Sequence, residues 1–222
     1  MKINALVPMR HVSVRVPNKN FKPFGNGKPL FTHVLNSLQN SKFIQDIYIN
    51  TDSDVVKEYC KKYHEKVILI DRPKNLIKDD ISMNEIIKYD LSKIKGDFFI
   101  QTHSTNPLIK STTIDKAIEC FFRKFPENDS LFSCTKFQNR LWSFSGQPIN
   151  HDKNILTRTQ DLPPLYEENS CIYIFERKSF LSSNNRIGDN PYIFEIEKFE
   201  AQDIDEKFDF FIAEQIFNYK NQ

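Results

Sequence analysis

The chain has 222 residues, 39% of them hydrophobic, enough to bury one substantial core without disulfides or metal, so a single domain over 1–222 is expected. Its 31 lysines and arginines stand against 29 acidic residues, and a formal charge of +2 excludes a broad field for steering nucleic acid. The apolar run near the start is broken by Pro8 and stops at Met9, too short for a signal-peptide core or a membrane span; Cys60, Cys120, Cys134 and Cys171 form no CxxC pair, which argues against a zinc or dithiol centre and for a reducing, cytoplasmic setting.

Short runs rich in Ile, Val, Leu or Phe predict buried strands at Ile3–Val7, Asp46–Asn50, Lys66–Ile70 and Phe98–Gln101. Between them lie helical patterns whose inward faces are read as Leu30, Val34 and Leu38, then Val55, Val56 and Tyr59, then Ile86, Ile87 and Leu91. Alternation of strand and helix implies parallel pairing with right-handed crossovers. A fourth helix is expected over Ser111–Lys124, with Ile114, Ala117, Ile118 and Phe121 inward, followed by a strand near Leu131–Thr135. From Gln138 to Asn169 the chain carries Trp142, several prolines and polar turns without a helical period, an excursion from the sheet rather than a second domain. Regular structure is expected to resume at Cys171–Phe175, with a short helix at Arg177–Leu181, a strand at Tyr192–Ile196 and a last helix over Lys207–Tyr219 whose core stripe is Phe208, Phe211, Ile212 and Ile216.

In an open parallel sheet, ligands bind beyond the carboxyl ends of the strands, and the loops there are polar in this chain. After the first strand come Arg10, Ser13, Arg15 and Lys19; after the second, Thr51 and Asp52; after the third, Arg72; after the fourth, Gln101, His103, Thr105 and Asn106. The first loop is the strongest candidate for a polyphosphate site, because arginine offers a planar fork of donors and lysine a point charge. It matches neither GxxxxGK[ST] nor GxGxxG, so side-chain cations must do more of the binding than backbone amides.

Before the last helix, Asp203-Ile204-Asp205 in an extended segment places both carboxylates on one side. Such a pair suits Mg²⁺, a hard cation that bridges one or two acids to nucleotide phosphates; the competing reading is a cap for the last helix. The stretch from Leu156 to Ser170, with Gln160, Tyr166, Glu167 and Asn169, is dense in hydrogen-bonding groups and suits either a polyhydroxylated ligand or a surface loop stiffened by Pro163 and Pro164. The five histidines show no metal-ligand spacing, and no GxSxG elbow is present.

These residues, in this order, resemble the acylneuraminate cytidylyltransferase family, which activates sialic acids and related sugar acids as CMP-sugars. The resemblance covers nearly the whole chain: Arg10-x-x-Ser13 with Pro17-x-Lys19-Asn20, Gly27-Lys28-Pro29-Leu30, Thr51-Asp52-Ser53, Arg72-Pro73, Thr105-Asn106-Pro107-Leu108, Gln160-Asp161-Leu162-Pro163 and Asp203-x-Asp205. It implies a three-layer α/β fold with a mostly parallel sheet, of the nucleotide-diphosphate-sugar transferase type. It further implies a homodimer in which the 138–169 excursion covers the partner's site. By the same resemblance Arg10, Ser13, Arg15, Lys19, Arg72 and Gln101 or His103 would contact CTP, Asn106, Gln160, Tyr166, Glu167 and Asn169 the sugar acid, and Asp203 and Asp205 a magnesium ion.

Two features depart from the family. Ser13-Val14-Arg15 replaces the Ser-Lys-Gly of sialic acid enzymes and looks more like enzymes that activate the eight-carbon acid Kdo. Glu167 falls where sialic acid enzymes often have arginine, and an anion there would repel a substrate carboxylate unless offset. The expected reaction is transfer of CMP from CTP to a sugar acid with release of pyrophosphate. Its rivals are a glycosyltransferase, which also uses Asp-x-Asp but commonly in mid-chain, and a nucleotide-binding module without turnover.

Overall fold

The computed structural model describes residues 2–13, 15–64 and 66–220, so Val14 of the first loop lies outside the described residues. In chain order the strands are β1 (Ile3–Leu6), β2 (Pro23–Phe24), β3 (Lys28–Pro29), β4 (Ile44–Thr51), β5 (Val67–Asp71), β6 (Phe98–Gln101), β7 (Ser130–Phe137), β8 (Leu165–Glu176) and β9 (Pro191–Glu195). The helices are α1 (Phe31–Gln39), α2 (Asp54–Tyr63), α3 (Met83–Lys93), α4 (Ser111–Lys124), α5 (Arg177–Ser183) and α6 (Lys207–Lys220). Strands β2 and β3 form a small ribbon, and the other seven form one sheet in the order β5-β4-β1-β6-β8-β7-β9.

The alternation of a strand's side chains divides the core into two faces. Ala5, Ile100 and Ile174 point to the layer of α1, α2 and α4, while Leu6, Phe99 and Phe175 point to the layer of α3 and α5. The result is the three-layer α/β architecture with a mostly parallel sheet. A third apolar cluster holds α6 against the ribbon through Phe24, Leu30, Ile204, Phe210 and Ala213. Local sequence sets several boundaries: the Ser53 side chain accepts the Val56 N–H to start α2, and Ser82 with Glu85 makes a reciprocal capping box for α3.

Three expectations are corrected. Parallel pairing holds for β5-β4-β1-β6 and for β7-β9, but β8 runs antiparallel to both β6 and β7, because β7 is followed by the excursion rather than by a crossover helix. The excursion ends earlier than expected, since β8 already begins at Leu165 and carries Tyr166, Glu167 and Asn169 within the sheet. Two helical faces are also rotated: Val56 and Cys60 are buried on α2 while Val55 is exposed, and Phe210 and Ala213 are buried on α6 while Phe208 and Phe211 are exposed.

Candidate active site

The cleft lies at the carboxyl ends of β1, β4 and β6, where three loops are tied together by polar side chains. Val7 and Met9 continue the parallel ladder beyond β1 by donating to the carbonyls of Tyr48 and Asn50. Pro8 between them has no N–H to donate, and the chain then turns away. The turn is pinned from β4: the His11 N–H donates to Asp52 Oδ1 at 2.8 Å, and its Nδ1 lies 2.8 Å from Ser53 Oγ. Asn20 donates to the Arg10 carbonyl and accepts from Ser104 Oγ, joining the first loop to the loop after β6. The Ile204 N–H donates to the Thr105 carbonyl, which fastens the Asp203–Asp205 segment to that same loop.

These ties bring Arg10, Ser13, Arg15, Lys19, Arg72, His103, Asp203 and Asp205 around one cleft of about 410 Å³. Arg10 pairs with Asp79, an exposed carboxylate on the far side of the opening. Arg15 lies 2.8 Å from Asp205, and Lys19, 3.4 Å from the same carboxylate, also donates to the Ile204 carbonyl. Arg72 is buried and donates to the Asn50 side chain at 2.6 Å and its carbonyl at 3.0 Å. Asn50 in turn donates to Asp90, whose carboxyl is pushed up to about 7 by burial, against the opposing effects of that hydrogen bond and of Arg72.

The acidic pair behaves as alternation requires: Ile204 is buried in the α6 cluster while Asp203 and Asp205 both face the cleft. Neither carboxylate caps α6. Asp209 does so, accepting the N–H groups of Asp205 and Glu206. Burial raises the Asp203 carboxyl above its ordinary range, a hydrogen bond from Thr105 opposes the rise, and the Asp205 charge adds to it. Oδ1 of Asp203 is buried without a hydrogen-bond partner. An acceptor oxygen left unsatisfied beside a second carboxylate fits a hard divalent cation, which Asp203 and Asp205 would hold.

A second cavity, of about 470 Å³, adjoins the first and is lined by Glu167, Glu168, Asn169 and Lys198. The two cavities share Ser170, Asp203 and Asp205. Ser170 reaches this junction through an irregularity in β8: Phe132 pairs with Tyr173 but Cys134 pairs with Glu168, and Ser170 takes φ of 58°. Such bulges bend a strand and re-aim side chains. Asn169 holds the bulge, accepting from Ser133 Oγ at 2.6 Å and donating to Thr135 Oγ1 at 2.9 Å.

Other expected site residues lie elsewhere. Gln101 is buried behind the cleft, where its Oε1 accepts from Arg186, so of the two candidates on that loop only His103 lines the opening. Asn106 is buried with neither side-chain polar atom partnered, and it borders neither cavity, because the loop after β6 turns it inward. Gln160 is exposed on the excursion, and Tyr166 is 46% exposed on the outer part of β8; neither lines either of these two cavities. Arg186, in the turn after α5, lines the cleft and was not singled out, since no spacing signal sets it apart from any arginine in a polar turn.

A family model described as Cytidylyltransferase matches residues 4–220. The N-acylneuraminate cytidylyltransferase of Streptococcus agalactiae serotype V is 27% identical over 99% of this chain, which spans only 54% of that relative's length. The pseudaminic acid cytidylyltransferase of Campylobacter jejuni serotype O:2 is 25% identical, with 92% of this chain and 91% of that protein covered. Among solved structures, a CMP:2-keto-3-deoxy-manno-octonic acid synthetase complexed with CTP superposes with a TM-score of 0.71 over 100% of this chain and 99% of that one, at 14% identity, a likeness of fold.

Proposed function

Because the chain belongs to the cytidylyltransferase family, we propose that it transfers CMP from CTP to a sialic acid-like sugar acid, releasing pyrophosphate. The observation that carries this reading is the junction of the two cavities. A cation-walled cleft suited to a triphosphate meets a hydroxyl- and carboxylate-lined pocket at Ser170, Asp203 and Asp205, where the two substrates would react. The names of the relatives support cytidine as the nucleotide and a sugar acid as the acceptor.

In the reaction a sugar hydroxyl oxygen attacks the α-phosphorus. The bond from that phosphorus to the bridging oxygen breaks, pyrophosphate leaves, and the hydroxyl proton is lost to solvent or a nearby carboxylate. Negative charge grows on phosphate oxygens, and fixed cations stabilise it because they need no reorganisation when the reaction occurs. Arg10 and Lys19 would orient the phosphates, with Arg15 alongside; their ion pairs with Asp79 and Asp205 hold them at the cleft. Arg72, held by Asn50 and buried at the cleft wall, would define the edge of the nucleotide site. Asp203 and Asp205 would hold Mg²⁺, which when bound supplies neutralisation of the leaving pyrophosphate and polarisation of the phosphoryl group.

The protein would act as a cytoplasmic homodimer. The excursion exposes Trp142, Phe144, Ile149, Ile155 and Leu156, an apolar surface suited to a second copy, and all four cysteines are buried free thiols. No helix among the described residues is long and apolar enough to cross a membrane.

The deciding experiment is a pyrophosphate-release screen that crosses four nucleotides with sialic, legionaminic, pseudaminic and Kdo-type acids. Release from CTP in the presence of one acid class is expected. Release with no acid, or none with any combination, would overturn the proposal.

A further inference from the structure

The turn after α5 is built to hold Arg186 in place. Asn184 ends the helix in the left-handed conformation with φ of 52°. The Asn84 amide then grips both following residues, donating to Asn185 Oδ1 at 3.1 Å and accepting the Arg186 N–H at 3.2 Å. Beyond it, the Asp129 carboxylate accepts the N–H groups of Asp189 and Asn190, with Gly188 packed directly against it.

The guanidinium so delivered lies over the Tyr173 ring, 3.5 Å from its centroid. Its Nη1 donates to Gln101 Oε1 at 2.5 Å and lies 3.3 Å from His103 Nε2. Burial, followed by the Arg186 charge, pushes the His103 imidazole down to about 3, so it stands neutral and can accept. Every polar partner of Arg186 is therefore uncharged. The first-loop cations Arg10, Arg15 and Lys19 all pair directly with carboxylates, whereas Arg186 makes no direct ion pair with any described residue, although the charge of Glu168, which accepts from the Tyr173 hydroxyl, also acts on it. A largely desolvated guanidinium with Nη2 and Nε uncommitted favours an anion that can take two donors at once.

The position of the turn selects the anion. Arg186 lines the first cleft and not the second cavity, but its Tyr173 platform hydrogen-bonds Ser170, which lines both, whereas Arg10, Arg15 and Lys19 come from the loop after β1. In the second cavity Glu167 and Glu168 would repel an acid group turned toward them, and the one cation among its lining residues, Lys198, is exposed. We propose that Arg186 binds the carboxylate of the sugar acid and selects an acid over a neutral sugar, an inference that rests on the reading above of the second substrate as a sugar acid.

The test measures binding and turnover separately. Equilibrium titrations follow CTP, and then each acid of the screen and its C1 carboxamide in the presence of a non-hydrolysable CTP analogue, for the wild type, Arg186→Gln, Arg186→Lys and Lys198→Ala. Arg186→Gln is expected to weaken acid binding about 10- to 100-fold, to leave CTP within about 3-fold, and to bind acid and carboxamide alike. Arg186→Lys should keep part of the preference for the acid, and Lys198→Ala nearly all of it. An unfolding midpoint within about 5 °C of the wild type certifies the fold of each variant. Equal weakening of CTP and acid, a preference for the acid that survives Arg186→Gln, or failure of the wild type to bind any acid would each overturn the proposal. A wild type that binds CTP and acid but releases no pyrophosphate overturns the transferase reading alone, while the binding contrast still decides the role of Arg186.

Discussion

The two halves of the sheet contribute to the site in different ways. In β5-β4-β1-β6, all parallel, the functional groups sit on loops just beyond strand ends: Arg10 and Lys19 after β1, Asp52 after β4, Arg72 after β5, His103 after β6. In β8-β7-β9 they sit within a strand or far along a turn: Glu167 and Ser170 inside β8, Arg186 after α5. Charge differs in balance: Arg10, Arg15, Lys19 and Arg72 crowd the first cleft, Glu167 and Glu168 line the second cavity beside the exposed Lys198, and Asp203 and Asp205 border both. On the proposed reading the first half would be a phosphate-binding frame, and the second, shaped by register and bulge, would select the acceptor.

The sharpest test of this division is the acidic pair where the halves meet. Asp203→Ala is expected to lower the rate of pyrophosphate release by at least about 10²–10³-fold, because it removes the unsatisfied oxygen suited to the metal. Near-normal turnover would detach Asp203 from the chemistry. Next comes Lys19→Met on the parallel side, expected to cost on the order of 10²-fold in kcat/KM for CTP with a smaller change in KM for the acid. A larger effect on the acid would reverse the assignment of the two cavities.

The third test is one of stability. Asp90 is 1% exposed, and its carboxyl stands at about 7 in the fold against an ordinary 3.8. The folded state therefore holds the proton more tightly than the unfolded chain, so this stabilising contribution is complete below about pH 4 and is lost as pH rises toward and through 7. Asp90→Asn should flatten that part of the stability profile, a difference on the order of a few kcal/mol at pH 8, read by denaturant unfolding across the pH range. An unchanged slope would show that Asp90 is ionised in the fold. The smallest effect is expected at Gly188, where an added Cβ would meet the Asp129 carboxylate; Gly188→Ala should cost about 1–2 kcal/mol and weaken acid binding more than CTP binding by displacing the Arg186 turn.

Much of the parallel half is legible in the chain because its signals are local. Apolar runs of strand length alternate with helical periods, and the strand-end rule then points to Arg10, Lys19, Arg72 and His103 without knowledge of any contact. The errors have equally local causes. Tyr166 and Glu167 carry a loop signature because Pro163 and Pro164 lie just upstream, before Leu165, yet pairing with β7 draws them into β8. The face of α6 is ambiguous in the sequence because phenylalanine occupies both sides, and only packing on the ribbon chooses Phe210 over Phe208 and Phe211.

By itself, the sequence determined the alternating α/β order, the basic loop after β1, the paired aspartates before α6, and through their order the family. These follow from short-range periodicity and residue chemistry, which need no tertiary information. Tertiary structure decided the antiparallel insertion of β8, the inward turn of Asn106, the withdrawal of Gln101 behind Arg186 and the meeting of two cavities at Ser170. Each depends on which distant strand supplies a register or a hydrogen-bond partner. Gln101 and Arg186 are 85 residues apart in the chain and 2.5 Å apart in the fold, a proximity set by long-range packing that no local pattern encodes.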